Sequence, residues 1–79
     1  MAGMIRMIEI NKIEPNGRCV YDADGIDAMV VDIRINGQLE PIHIWFAGRL
    51  FRILDGEKRW RACKKLGMVT TKAVVEDIV

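Results

Sequence analysis

A chain of 79 residues has room for one domain, and with 51% hydrophobic side chains it must commit nearly all of them to one core, which argues against a large catalytic cleft. Charged residues make up 29% and the net charge is +1, so the composition excludes intrinsic disorder and a uniformly polycationic or polyanionic surface. Two cysteines without CxxC spacing (Cys19 and Cys63), a single histidine (His43), no long apolar run and no signal-peptide order argue against a disulfide framework, an ordinary zinc site and a membrane span, and favour a cytoplasmic protein.

In chain order, residues 1–6 read as a frayed leader. Met7 to Ile13 alternates apolar and polar residues with period two, which predicts a half-buried strand ended by Pro15-Asn16-Gly17. From Asp24 the period changes: Ile26, Met29, Val30 and Ile33 follow helical spacing, with Asp24 as N-cap and Asn36-Gly37 as the stop. Pro41 to Phe46 and Arg49 to Leu54 are β-rich runs separated by Ala47-Gly48, spaced as a hairpin. Gly56 to Leu66 predicts a second helix capped by Asp55 and closed by Gly67, and Thr71 to Glu76 a last strand. The order β-α-β-β-α-β predicts a single α+β domain over residues 1–79, its helices packed on a mixed sheet.

The net charge conceals an asymmetry. Residues 1–48 carry four basic and seven acidic side chains, whereas residues 49–65 carry seven basic and two acidic. A local cationic surface on a near-neutral protein suits a phosphate-bearing partner, and it equally suits a solvated helix face.

The second helix concentrates these charges. Trp60, Ala62, Cys63 and Leu66 share one broad arc, and Lys58, Arg61, Lys64 and Lys65 fall on the opposite side. Arg59 falls inside the apolar arc, between Leu66 and Cys63, and a guanidinium aimed at a core needs an internal carboxylate such as Asp55 or Glu40, or an external anion. It also lies in the first helical turn, where the positive end of the dipole favours an anion, and Gly56 just before it allows close approach to the backbone. Glu57 reads either as a first-turn acid complementing the dipole or as a ligand for Mg²⁺ carried in with phosphates. His43 alternates with Ile42 and Ile44, so it points to the other sheet face, and Cys63 reads as inert packing.

These residues resemble a known family. Gly37-Gln38-Leu39-Glu40-Pro41-Ile42, then Phe51-Arg52-Ile53-Leu54-Asp55-Gly56-Glu57-Lys58-Arg59-Trp60-Arg61-Ala62 and Lys64-Lys65-Leu66-Gly67, are similar to the N-terminal domain of ParB chromosome-partition proteins, and Pro15-Asn16-Gly17-Arg18 resembles the family's segment after its first strand. The resemblance spans about Ile8 to Val75 and implies the ParB/sulfiredoxin fold. It implies phosphate contacts from Gly56, Lys58 and Arg59, Mg²⁺ held with help from Glu57, and a nucleotide pocket lined around Gly37 to Pro41. In partition proteins the nucleotide is CTP, hydrolysed slowly to switch a clamp on DNA, and family labels also call the domain nuclease-like. Two departures stand out. Glu40 occupies a position commonly held by glutamine, and the helix-turn-helix and dimerisation domain of full partition proteins lie outside these residues, so a complete partition function is not expected of this chain alone. The sulfiredoxin branch places its catalytic cysteine where this chain has Glu57, which argues against that activity.

Three functions follow as expectations. The first is a nucleotide-binding module (CTP or ATP with Mg²⁺) in a DNA-linked role, partnered by DNA, a DNA-binding protein or a second copy of itself. The second is a direct nucleic-acid binder or nuclease using Arg49, Arg52, Arg61, Lys64 and Lys65. The third is a small phosphotransferase with Glu40 or Glu57 as catalytic base, and slow hydrolysis of the nucleotide is the remaining enzymatic reading.

Overall fold

The computed structural model describes residues 4–15 and 23–77. The chain runs through β1 (Ile5–Glu9), a 3-10 turn (Ile10–Lys12), β2 (Ile13–Glu14), α1 (Ala23–Asn36), β3 (Ile42–Phe46), β4 (Phe51–Asp55), α2 (Glu57–Lys65) and β5 (Thr70–Val75). The strands form one mixed sheet in the order β1-β5-β3-β4-β2. β1 pairs antiparallel with β5 and β3 with β4, whereas β3–β5 and β2–β4 are parallel. This is the expected α+β class. No helix among the described residues is long and apolar enough to cross a membrane.

The strand expected over residues 7–13 is broken. Strand β1 begins at Ile5, inside the stretch expected to be a leader, and stops at Glu9, where the 3-10 turn carries the chain to β2 on the opposite edge of the sheet. Three 3-10 residues advance only about 6 Å. A flat five-stranded sheet would hold its edges about 19 Å apart. The sheet must therefore curl until its two edges lie close. Tertiary bonds hold the break in place: the Ile10 amide donates to the Val69 carbonyl at 2.9 Å, and the buried Trp60 indole donates to the Ile10 carbonyl at 3.4 Å.

Other boundaries shift for local reasons. Helix α1 is described from Ala23, so Asp24 lies within the helix instead of capping it. The β3–β4 connection takes residues 47–50, closed by the Ala47 amide on the Leu50 carbonyl at 2.9 Å, because the ladder ends at the Phe46–Phe51 pair. Those two rings meet edge to face at 5.2 Å. Asp55 is the last residue of β4 and does not cap α2, since Gly56 occupies the N-cap position. Both helices end at a glycine as expected, with the Gly37 amide on the Ile33 carbonyl and the Gly67 amide on that of Lys64. Of the proline-asparagine-glycine-arginine segment only Pro15 is described; residues 16–18 and Cys19 lie outside the described residues.

Ile42, Ile44 and Ala73 are fully buried at the sheet centre, and Val30 and Ile33 of α1 join Trp60, Ala62 and Cys63 of α2 against them. Helix α2 touches α1, β3 and the 3-10 turn. Its start is thereby held at the end of β4, beside α1 and the segment leading into β3.

Candidate functional site

Gly56 sets the entry to α2. Its φ of 97° is a left-handed conformation that turns the chain from β4 into the helix within one residue. A Cβ here would also lie 2.9 Å from Ile42 Cγ2, so the backbone presses directly on the first residue of β3. The first rung of the helical ladder is the Trp60 amide on the Gly56 carbonyl at 3.0 Å, which puts the positive pole of α2 at residues 57–59.

Around that pole lie two adjoining cavities that share Met29, Glu40 and Arg59. One, of about 260 Å³, is bordered also by Asp55, Gly56, Glu57 and Lys58; the other, of about 180 Å³, by Asp32, Ile33 and Leu39. The structure thus brings Glu40, Gly56, Glu57, Lys58 and Arg59 to one cleft. Gly37 is not among the lining residues; its place is the end of α1.

Arg59 is partly covered, 24% exposed, and its Nη2 lies 3.5 Å from Glu40 Oε2. Of the two carboxylates expected to face it, Glu40 is the one that does. Glu57 is buried at 3% exposure, and its Oε2 accepts from Arg61 Nε at 3.1 Å and Nη2 at 3.0 Å. The helical spacing of these two residues puts the pair on one face, so Arg61 folds back along α2 and leaves the cationic stripe expected of it.

Other members of that stripe are engaged as well. Lys65 pairs with Asp27 of α1, and Lys64 stacks over the Trp60 ring at 5.1 Å. Arg49 and Arg52 border a separate cavity of about 290 Å³ with Glu14, Ala47 and Leu50, and Arg52 lies 3.6 Å from Glu14. That cavity sits at the start of β4, at the other end of the strand from Gly56.

A buried residue that sequence reasoning missed holds the cleft wall. Gln38, 5% exposed, donates to the carbonyls of Glu40 and Lys72, both at 3.0 Å, and accepts from the Thr71 hydroxyl at 2.9 Å and the Lys72 amide at 2.8 Å. It ties the segment carrying Glu40 to β5. No periodicity marks it, because its partners in β5 lie 33 and 34 residues away.

His43 Nδ1 lies 3.4 Å from Glu76 Oε1, away from the cleft. Cys63 is fully buried, and desolvation pushes its thiol above the ordinary value of 9.0, opposed by its hydrogen bond with Thr71 and by the charge of Arg59. A thiol so placed packs and does not react. Among the described residues no group of three or more His, Cys, Asp or Glu could hold a metal ion, and Glu57 is already committed to Arg61.

The family model for the ParB N-terminal domain matches residues 2–79. The chain belongs to the ParB N-terminal domain family. A nucleoid occlusion protein of Geobacillus kaustophilus is 35% identical to this ParB-family chain over 78 residues, covering 94% of it and 28% of the relative. The chain thus spans little more than a quarter of that relative's length. The C-terminally truncated chromosome-partitioning protein ParB from Caulobacter crescentus, complexed with CTP-γ-S, superposes with a TM-score of 0.87 at 25% identity, covering 98% of this chain and 46% of that one. Sulfiredoxin from Arabidopsis thaliana gives a TM-score of 0.84 at 22% identity, covering 95% and 86% respectively, which shows the shared fold. The ParB/sulfiredoxin architecture is therefore common to all three.

Proposed function

We propose that this ParB-family domain binds a nucleotide through its phosphates at the N-terminus of α2, in a chromosome-partition or nucleoid-associated role. The observation that carries the reading is the junction at Gly56, whose left-handed backbone opens the positive pole of α2 into a cleft overlooked by Arg59. The likeness to a ParB complexed with CTP-γ-S supports CTP as the first ligand to try. Arg59 and Lys58 would neutralise phosphate oxygens, and Gly56 would let them approach the backbone. The cavity of about 260 Å³ at the start of α2 suits phosphate groups, and the adjoining one of about 180 Å³ extends the cleft toward Ile33 and Leu39.

A divalent cation would enter on the phosphates, because Mg²⁺ is commonly held by one or two carboxylates plus phosphate oxygens. Three exposed carboxylates border the cleft, Asp32, Glu40 and Asp55, and Glu40 is the one beside Arg59, whereas Glu57 is buried against Arg61. The nucleic-acid reading draws less support, since Arg61 is folded onto the buried Glu57 carboxylate.

Calorimetric titration of CTP with Mg²⁺ tests the reading. Saturable binding is expected, and Arg59→Ala should weaken it at least tenfold while the circular dichroism spectrum stays unchanged. Unaltered affinity in the variant would remove Arg59 from the site and the reading with it.

A further inference from the structure

The guanidinium proposed to receive a ligand phosphate already faces a carboxylate of its own chain. Glu40 Oε2 stands 3.5 Å from Arg59 Nη2, and both side chains border both cavities of the cleft. A phosphate that reached Arg59 through either cavity would therefore arrive against Glu40. Two further carboxylates, Asp32 and Asp55, border the same cleft beside Lys58, so an anion entering without a cation meets like charges as well as the two basic side chains.

Glu40 is built to yield. Its backbone is fixed by the Gln38 side chain, which bonds the Glu40 carbonyl and is itself held by Thr71 and Lys72 of β5. Its side chain is 76% exposed and reaches Arg59 only at the long limit of a hydrogen bond. An exposed pair at that distance is weak, so the carboxylate can swing into solvent without disturbing the fold. Arg59, at 24% exposure, cannot leave the cleft as readily.

We infer that Glu40 is an internal competitor for the anion site at Arg59, making capture of a phosphate-bearing ligand dependent on a divalent cation or on displacement of the Glu40 carboxylate. The inference rests on the phosphate reading of this cleft and adds its regulation. Without a cation, a ligand phosphate and Glu40 contend for one guanidinium. With a divalent cation bridging the two anions, the same carboxylate changes from competitor to supporting ligand.

The test compares the native chain with Glu40→Gln and Glu40→Ala, titrated by calorimetry with CTP and with inorganic pyrophosphate, in EDTA and in Mg²⁺. Gln keeps an oxygen that can accept from Arg59 and removes the charge. In EDTA both variants should bind both probes about fivefold more tightly or better, as expected for removing one like charge at about 4 Å in a solvated site. In Mg²⁺ the gain should shrink or reverse. Equal affinities of native and variant chains in EDTA would overturn the inference while leaving nucleotide binding in place. Tighter pyrophosphate binding by the variants with no CTP binding by any chain would uphold it and overturn the nucleotide reading. Silence of every chain toward both probes would overturn both.

Discussion

The α-carbon of Gly56 rests on Ile42: a Cβ added to the glycine would fall 2.9 Å from Ile42 Cγ2 and 3.2 Å from Ile42 Cα. The strand that begins the hairpin and the helix that begins the cleft are thus packed closely together, and Ile42 is fully buried. One contact couples the core to the proposed phosphate site.

Gly56→Ala should therefore destabilise the domain by about 2–4 kcal/mol, combining the strain of a positive φ with overpacking against a fixed core residue. Urea unfolding followed by tryptophan fluorescence measures this. A loss under about 0.5 kcal/mol, typical of a neutral surface change, would mean that the junction relaxes freely.

Glu57 and Arg61 form a pair of unequal burial, the carboxylate 3% and the guanidinium 38% exposed. Removing the exposed partner leaves the buried charge behind, so Arg61→Ala should cost about 1–3 kcal/mol, less than a fully buried pair would because water can reach the vacated side. The double variant Glu57→Gln/Arg61→Ala should lose less than the two single losses combined, with a coupling of about 0.5 kcal/mol or more. Additive losses in a thermal or urea double-mutant cycle would show that the pair is incidental.

Cys63 should resist alkylation in the folded protein, since its thiol is fully buried and its pKa is raised by desolvation. A raised thiol pKa means that the folded state holds the proton more tightly than the unfolded chain does. The associated stability is therefore complete below the ordinary value of 9.0 and is lost as pH rises through the higher folded value. Stability measured from pH 8 to 10.5 should fall more steeply in the native chain than in Cys63→Ala, and parallel curves would contradict this.

Local sequence and tertiary structure divided the information unevenly at the cleft itself. The alignment of Gly56 ahead of an amphipathic helix was legible because a turn glycine and helical periodicity are short-range signals. Arg59 was legible as a cation out of place on an apolar arc, and its two candidate partners could be named. That Glu40 is the one within reach of Arg59 depends on how α2 packs beside the segment leading into β3, which no spacing within one element reports. The engagement of Arg61 by Glu57 was hidden for another reason: a helical wheel places both residues correctly but does not say how deeply the carboxylate lies.

From the sequence alone came the α+β class, the number of helices, the glycine stops and the family resemblance, because each rests on spacing within one element or on a contiguous motif. Only the tertiary structure decided that the first strand breaks at Ile10, that the sheet curls to bring its edges together, and that Gln38 pins the wall bearing Glu40 to β5. Those features depend on long-range hydrogen bonds whose partners no local pattern identifies. They determine which charges finally meet at the start of α2.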